Sequence, residues 1–433
     1  MTTEVHRVSP SIFVGLAEGG GGASAARCLR DAQHSKHLLL LRSVAGLAAS
    51  VGHVDAPTAK HAYGQLADVQ ATRPAAVAAV IRHPATGAWA KQTVELLGSA
   101  ETAGDASPAR MAALAAAAAI RSGTPLSADL PVADGWVVFP SLGRAVASAG
   151  RVRTADGIAQ IDGARLPRDL VTETASWQGL RRLSAVSGRA AIELLIDDVD
   201  PYRAGGADHP SDRLSLAETA RWQSVLEDAW DLLVRHHTEV AEETAALISV
   251  LTPLRPLHGG HVSATSRDTF GAILLSTPAD ATALAVTIAH EVQHAKLSAL
   301  LDLFPLTVRD DERRFYVPWR DDPRPVAGLL QGAYAFLGVT GFWLRQGRLP
   351  DGEPALAEFA RWLSAVRLVV DTLSASGQLT SAGQAFVSGM DKTLTRWAAE
   401  PVPPQAVAAA REANEEHREQ WRQRNGEIPS LRG

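Results

Sequence analysis

Cysteine occurs once in the 433 residues, at Cys28. A single sulfur forms no intramolecular disulfide and supports no thiolate metal cluster, which points to a reducing compartment. Basic runs are also missing. The 42 Lys and Arg are scattered among 47 Asp and Glu for a net charge of −5, so no nucleic-acid footprint is present. The longest apolar runs, residues 111–120 and 283–289, fall short of the ~20 residues of a membrane span and are bordered by charge. Residues 1–16 lack the basic region and apolar stretch of a secretory signal. No internal repeat is visible. The expected compartment is the cytoplasm, with neither nucleic acid nor membrane as partner.

What is present is the balance of an ordinary globular protein, with 46% hydrophobic and 21% charged residues. The length predicts two or three cores, since single cores stop growing near ~250–300 residues. Four stretches are legible: a helical region over 1–124, a small sheet with long helices over 125–252, a third over 253–350 that holds the motif described below, and a helical region over 351–433. The fold class expected is α+β, predominantly helical.

Within the first stretch, leucines recur at helical spacing over 25–49, and 74–82 and 108–121 are alanine-rich. Ser107-Pro108 has the form of a cap followed by proline at the first helical position. Gly19 to Gly22 lack the flanking strand and spacing of a phosphate loop and are expected to form a flexible loop. Short strands are expected at 136–139, 151–154, 158–161 and 190–196, as one small sheet. Asp197, Asp198 and Asp200 precede Arg203 without the glycine and closing glutamate of a calcium loop, so a solvated turn with an Asp–Arg contact is expected. Residues 214–251 form an amphipathic helix or helix pair. His236 and His237 lie on it, but neighbours point about 100° apart and cannot share a metal. A strand over 269–276 and a cap at Thr277 to Asp280 launch a helix over 281–303, ended by Pro305, and helices follow over 326–346, 356–373 and 383–397. A charged tail begins at Arg411.

The chemistry concentrates in His290-Glu291-Val292-Gln293-His294. On a helix, imidazoles four residues apart lie on one face, about 5–6 Å between Cβ atoms, and both can reach one divalent cation. Glu291 sits where it can contact a metal-bound water. At this His and Glu content chance yields about 0.02 such pentapeptides, and the strand-then-helix context resembles the metal-binding half of a zincin. A third ligand is less evident. Leu297 and Leu300 exclude the extended metzincin pattern. The helix over 326–346 contains no Glu, Asp or His, which removes the thermolysin-type glutamate; Gln331 and Tyr334 are its long polar residues. Glu312, Asp310, Asp311, Asp321 and Asp322 downstream and His258 and His261 upstream stay open as candidates.

Residues 263–343 resemble the HExxH-type 2-oxoglutarate-dependent peptide β-hydroxylases found beside ribosomally made, post-translationally modified peptides. The matching positions are Ser276, the His290 to His294 motif, Tyr316-Val317-Pro318-Trp319-Arg320, Asp322-Pro323-Arg324-Pro325, Gly328 to Phe336 and Phe342-Trp343, with the stretch Ala32 to His37 also similar. The resemblance implies an iron(II), 2-oxoglutarate-dependent oxygenase on a peptidase-like scaffold, its metal helix packed against a small mixed sheet and its substrate a precursor peptide. It implies His290 and His294 as metal ligands with Gln331 as a third, and Tyr316, Arg320 and Arg324 as contacts to 2-oxoglutarate, for which an arginine fork suits a carboxylate. A homodimer is a further expectation. A zinc metallopeptidase using Glu291 as general base and a non-catalytic peptide-binding relative stand as alternatives.

Overall fold

The computed structural model describes residues 6–206, 210–256, 262–264 and 266–427. Six helices open the chain: α1 (Pro10–Ala17), α2 (Gly22–Ser50), α3 (Ala56–Thr72), α4 (Pro74–Ile81), α5 (Pro84–Leu97) and α6 (Met111–Ser122). Prolines in the first helical turn start α3, α4 and α5, where the missing amide hydrogen costs nothing. The expected Ser107 cap does not form: its side chain makes no capping bond, and a 3-10 turn over Pro108–Arg110 leads into α6 instead.

Nine strands follow: β1 (Leu126–Asp129), β2 (Trp136–Phe139), β3 (Gly143–Val146), β4 (Arg151–Ala155), β5 (Ile158–Ile161), β6 (Ala164–Arg165), β7 (Trp177–Gly179), β8 (Arg181–Ser187) and β9 (Ala190–Ile196). They belong to three sheets rather than one. β1-β4-β5-β6 and β2-β3-β7 are small and antiparallel, whereas β8 and β9 begin a five-stranded sheet.

After α7 (Leu216–His236) and α8 (Thr238–Leu247) the chain enters that sheet again as β10 (Val250–Pro253), β11 (Ser263–Ala264) and β12 (Ala272–Leu275). Its order is β11-β12-β10-β9-β8, and it is mixed: β10 runs parallel to both β9 and β12. β10 begins at the end of the stretch read as helical, 214–251, and runs past it. All four of its residues are buried, so it carries no alternation to mark it as a strand. Then come α9 (Ala281–Leu301), α10 (Val326–Gly347), α11 (Ala355–Ala375), α12 (Ser381–Trp397) and α13 (Pro404–Asn425). The protein is α+β and predominantly helical. The presumed charged tail is α13, which buries Ala410 and Trp421 against its neighbours.

Two large cores divide the chain differently from the four stretches read along it. One gathers Leu38 through Trp177, the later part of α2, the helices after it and the two small sheets. The other joins Leu16 to Leu29 with β8, β9, β12 and α7 to α12, so the chain start packs with its second half. Leu284, Ala285, Ile288 and Val292 of α9 and Ile273 and Leu275 of β12 belong to this second core. α10 is the one helix among the described residues long and apolar enough to cross a membrane, yet 67% of that window is buried inside the protein.

Two expectations are overturned by burial. The acidic turn is not solvated: Asp197, Asp198 and Asp200 are 1%, 4% and 2% exposed. Arg213 binds Asp198 at 2.6 Å and Arg110 binds Asp200 at 2.5 Å, cations too distant in sequence to be anticipated. The glycine run is not loose either. Lys296 on α9 donates to the carbonyls of Gly19 and Gly20 at 3.1 Å, Gln293 donates to that of Gly19 at 2.7 Å, and Glu243 accepts from the Gly22 amide at 3.1 Å. Positive φ at Gly19 and Gly21, 90° and 108°, bends the carbonyls toward these donors and favours glycine there.

Candidate metal centre

Asp280 caps α9 by accepting from the Ala283 amide at 2.8 Å, which sets the helix register ten residues before the motif. α9 then crosses α10 closely: a Cβ on Gly338 would lie 2.7 Å from the Ala289 carbonyl oxygen. The same pair of helices brings Gln331 of α10 against His294. His290 and His294 are half-buried, and their Nε2 atoms face each other at 3.2 Å with the rings 77° apart.

That separation suits a shared cation. Two Nε2 atoms at ~2.0–2.1 Å from one ion stand about 3.0 Å apart at a right angle and about 3.4 Å apart at the tetrahedral angle. Burial, and secondarily the adjacent His294, pull His290 down to about 3, so its ring is neutral at neutral pH and its lone pair is available. His294 is oriented from behind. Its Nδ1 lies 3.1 Å from Gln331 Oε1, so with Nδ1 carrying the proton the Nε2 lone pair points at His290. Gln331 thus contacts the nitrogen remote from the pair, the place of an orienting partner rather than of a third ligand.

No group of three or more His, Cys, Asp or Glu converges among the described residues. Asp310 is held by Arg314, Asp311 by Arg313, and Asp321 by Arg424, while Glu312 is exposed. His258 and His261 lie outside the described residues. Glu291 is 1% exposed, so it faces the interior and not solvent. His236 is exposed, and His237 is a core residue stacked on Phe342 at 4.3 Å.

The expected 2-oxoglutarate contacts separate. Tyr316 is directed to the far end of the chain: its hydroxyl meets His417 Nδ1 at 3.0 Å, its ring packs edge-on to Trp421, and burial pushes it up to about 12. It anchors α13 and has no contact with the histidine pair. Arg320 and Arg324 both bind Asp322, at 2.7 and 2.9 Å. Arg324 also lies over α10 at Gly328, one turn before Gln331; a Cβ on Gly328 would sit 3.3 Å from its Nε. Of the two arginines it is the one that the structure brings onto the helix beside the site.

One feature beside the pair was not anticipated as a unit. Gly332 leaves room for the Trp319 indole, whose Nε1 would be 2.5 Å from a Cβ there. Trp319 stacks on Phe336 at 4.7 Å, Phe336 stacks on Trp362 at 4.4 Å, and His290 meets the Phe336 ring edge-on at 5.0 Å. Three half-buried aromatic rings therefore form a wall against the first histidine. The spacing of Gly328, Gly332 and Phe336, each four residues on, was the available signal; Trp362 on α11 had none.

Comparison of the chain with family models and with curated proteins returns no match.

Proposed function

We propose that the protein is a cytoplasmic iron(II)- and 2-oxoglutarate-dependent oxygenase that hydroxylates a β-carbon in a ribosomally made precursor peptide. The observation that carries this reading is the 3.2 Å approach of two Nε2 atoms on consecutive turns of one helix. Its remaining support is the resemblance of residues 263–343 to the peptide β-hydroxylases, which names the metal and the cosubstrate. When bound, iron(II) with 2-oxoglutarate supplies the electrons that let one oxygen atom of O₂ enter a C–H bond, the 2-oxo acid leaving as succinate and CO₂. His290 and His294 hold the ion through neutral nitrogens and leave the rest of its coordination sphere to exogenous ligands. Gln331 keeps the His294 ring turned toward the ion. Arg324, paired with Asp322 at 2.9 Å, would supply the guanidinium fork for the distal carboxylate of the cosubstrate. The Trp319–Phe336–Trp362 wall excludes water from one side of His290 and offers an apolar surface to a peptide side chain.

The test is anaerobic titration of metal-free protein with iron(II) and 2-oxoglutarate. A visible charge-transfer band is expected for the native chain and none for His290→Ala or His294→Ala. Absence of the band in the native chain overturns the oxygenase reading. Hydrolysis of a peptide by the zinc-loaded protein, abolished by Glu291→Gln, would establish a metallopeptidase instead.

A further inference from the structure

A cavity of about 390 Å³ lies where α2, the α4–α5 junction, the end of α6 and the β8–β9 hairpin meet, and neither His290 nor His294 lines it. Its size is that of a small-molecule site. Four arginines reach it: Arg30 from α2, Arg82 after α4, Arg121 near the end of α6 and Arg182 from β8. Two carboxylates answer them. Asp31 is shared by Arg30 at 3.4 Å and Arg82 at 3.3 Å, and Glu193 pairs with Arg182 at 3.0 Å. Among the described residues Arg121 is held by Ser141 alone, donating to Oγ at 3.1 Å and to the carbonyl at 2.7 Å. With Asp197, which stands beside His83, counted among the carboxylates, four guanidinium groups face three carboxylates around this cavity.

Its wall also contains donors that the fold leaves unused. His83 is 3% exposed, and neither of its ring nitrogens has a hydrogen-bond partner among the described residues. Asp197 Oδ2 stands 3.7 Å from Nε2, beyond hydrogen-bond reach, and behind it Asp200 is taken by Arg110. His34 Nδ1 and Arg82 Nε are likewise buried and unpartnered. His37, by contrast, is tied to the Ile81 carbonyl at 2.8 Å. Crowding of like charge is evident at His34, held near 4 by burial and then by Arg82 and His37. An unpaired buried polar group costs free energy unless something binds it, and an excess of cations around such groups selects an anion.

We propose that this cavity binds a small molecule with a dianionic oxyanion head, of the phosphate-monoester or dicarboxylate type. The head lies on Arg82 and Arg121 and beside His83, and the body rests on Leu195, Ile248 and Phe270. This site is independent of the metal reading.

The test uses metal-free, chelator-treated protein and thermal unfolding with inorganic phosphate or succinate, against sodium chloride at equal ionic strength. Saturable stabilisation by at least one of the two is expected. Response to phosphate alone identifies a phosphate ester, and response to succinate alone a dicarboxylate. The half-saturating concentration should rise about tenfold in Arg121→Gln and in Arg82→Gln, the effect of one lost charge-assisted contact. It should stay unchanged in Arg411→Gln, whose guanidinium is exposed on α13. Far-UV circular dichroism without ligand establishes that each variant is folded, and if one arginine variant is not, the other decides. Stabilisation no greater than that by chloride, or equal stabilisation of the folded arginine variant, overturns the proposal.

Discussion

Lys296 and Gln293 project from α9 only a turn from His290 and His294, yet the two faces of this helix meet different surroundings. Lys296 is fully buried and its ammonium group is satisfied by two carbonyls and by Glu243 at 2.7 Å. His290 and His294 are half-buried, and among the described residues their Nε2 atoms have each other and no carboxylate or carbonyl. The first face holds the glycine turn between α1 and α2 against the second half of the chain. The second brings two ring nitrogens within 3.2 Å of each other. Where the fold supplies every partner, a polar side chain is a structural clamp; where it orients a nitrogen and leaves its lone pair directed at open coordination, the residue is equipped to bind a ligand.

The largest effect that would sharpen this contrast is Lys296→Met. It strands the Glu243 carboxylate in the core and is expected to lower the unfolding free energy by about 3–5 kcal/mol. Denaturant midpoints would measure it, with Glu243→Gln added in a double variant to recover most of the loss. Metal stoichiometry of the folded fraction should not change. Equal loss of stability in His290→Ala would erase the distinction between the two faces.

A smaller effect is expected at Gln331→Ala. As an orienting partner of His294 Nδ1, Gln331 should be worth about 10–100-fold in divalent-metal affinity by calorimetry. Complete loss of binding would instead make it a ligand and require the ring to turn.

The last concerns a histidine whose Nδ1 is tied to the backbone. His37, buried and bonded to Ile81, is held near 4, mainly by burial, below its ordinary 6.5. The unfolded chain takes the proton first, so this stability is present above pH 6.5 and is lost as pH falls toward 4. Native stability should carry a slope of up to about 1.4 kcal/mol per pH unit from this group in that window. His37→Asn, which keeps a donor for the Ile81 carbonyl, should flatten it; an unchanged slope would place the acid sensitivity elsewhere.

Much of the helical frame was legible because it is local. Alanine and leucine periodicity and the Asp280 cap each act within one or two turns, and α2, α4, α9, α10, α11 and α12 lie within a few residues of where spacing predicts them. β10 was not legible, since a strand buried on both faces has no period. The buried aspartates misled for a related reason: whether Asp198 and Asp200 meet water or an arginine depends on Arg213 and Arg110, one of them 90 residues away. The same holds for Tyr316, whose partner His417 is 101 residues distant.

The amino-acid order alone determined that His290 and His294 share a helix face, because a four-residue step returns almost to the same angle whatever surrounds the helix. Only the tertiary structure decided what stands around them: Gln331 behind one ring, Phe336 with the two rings stacked on it beside the other, Arg324 over Gly328 and Tyr316 turned away. Those placements depend on how closely α9 and α10 cross at Gly338 and on where α11 and α13 pack. Such contacts join residues far apart in the chain, and no local rule of spacing encodes them.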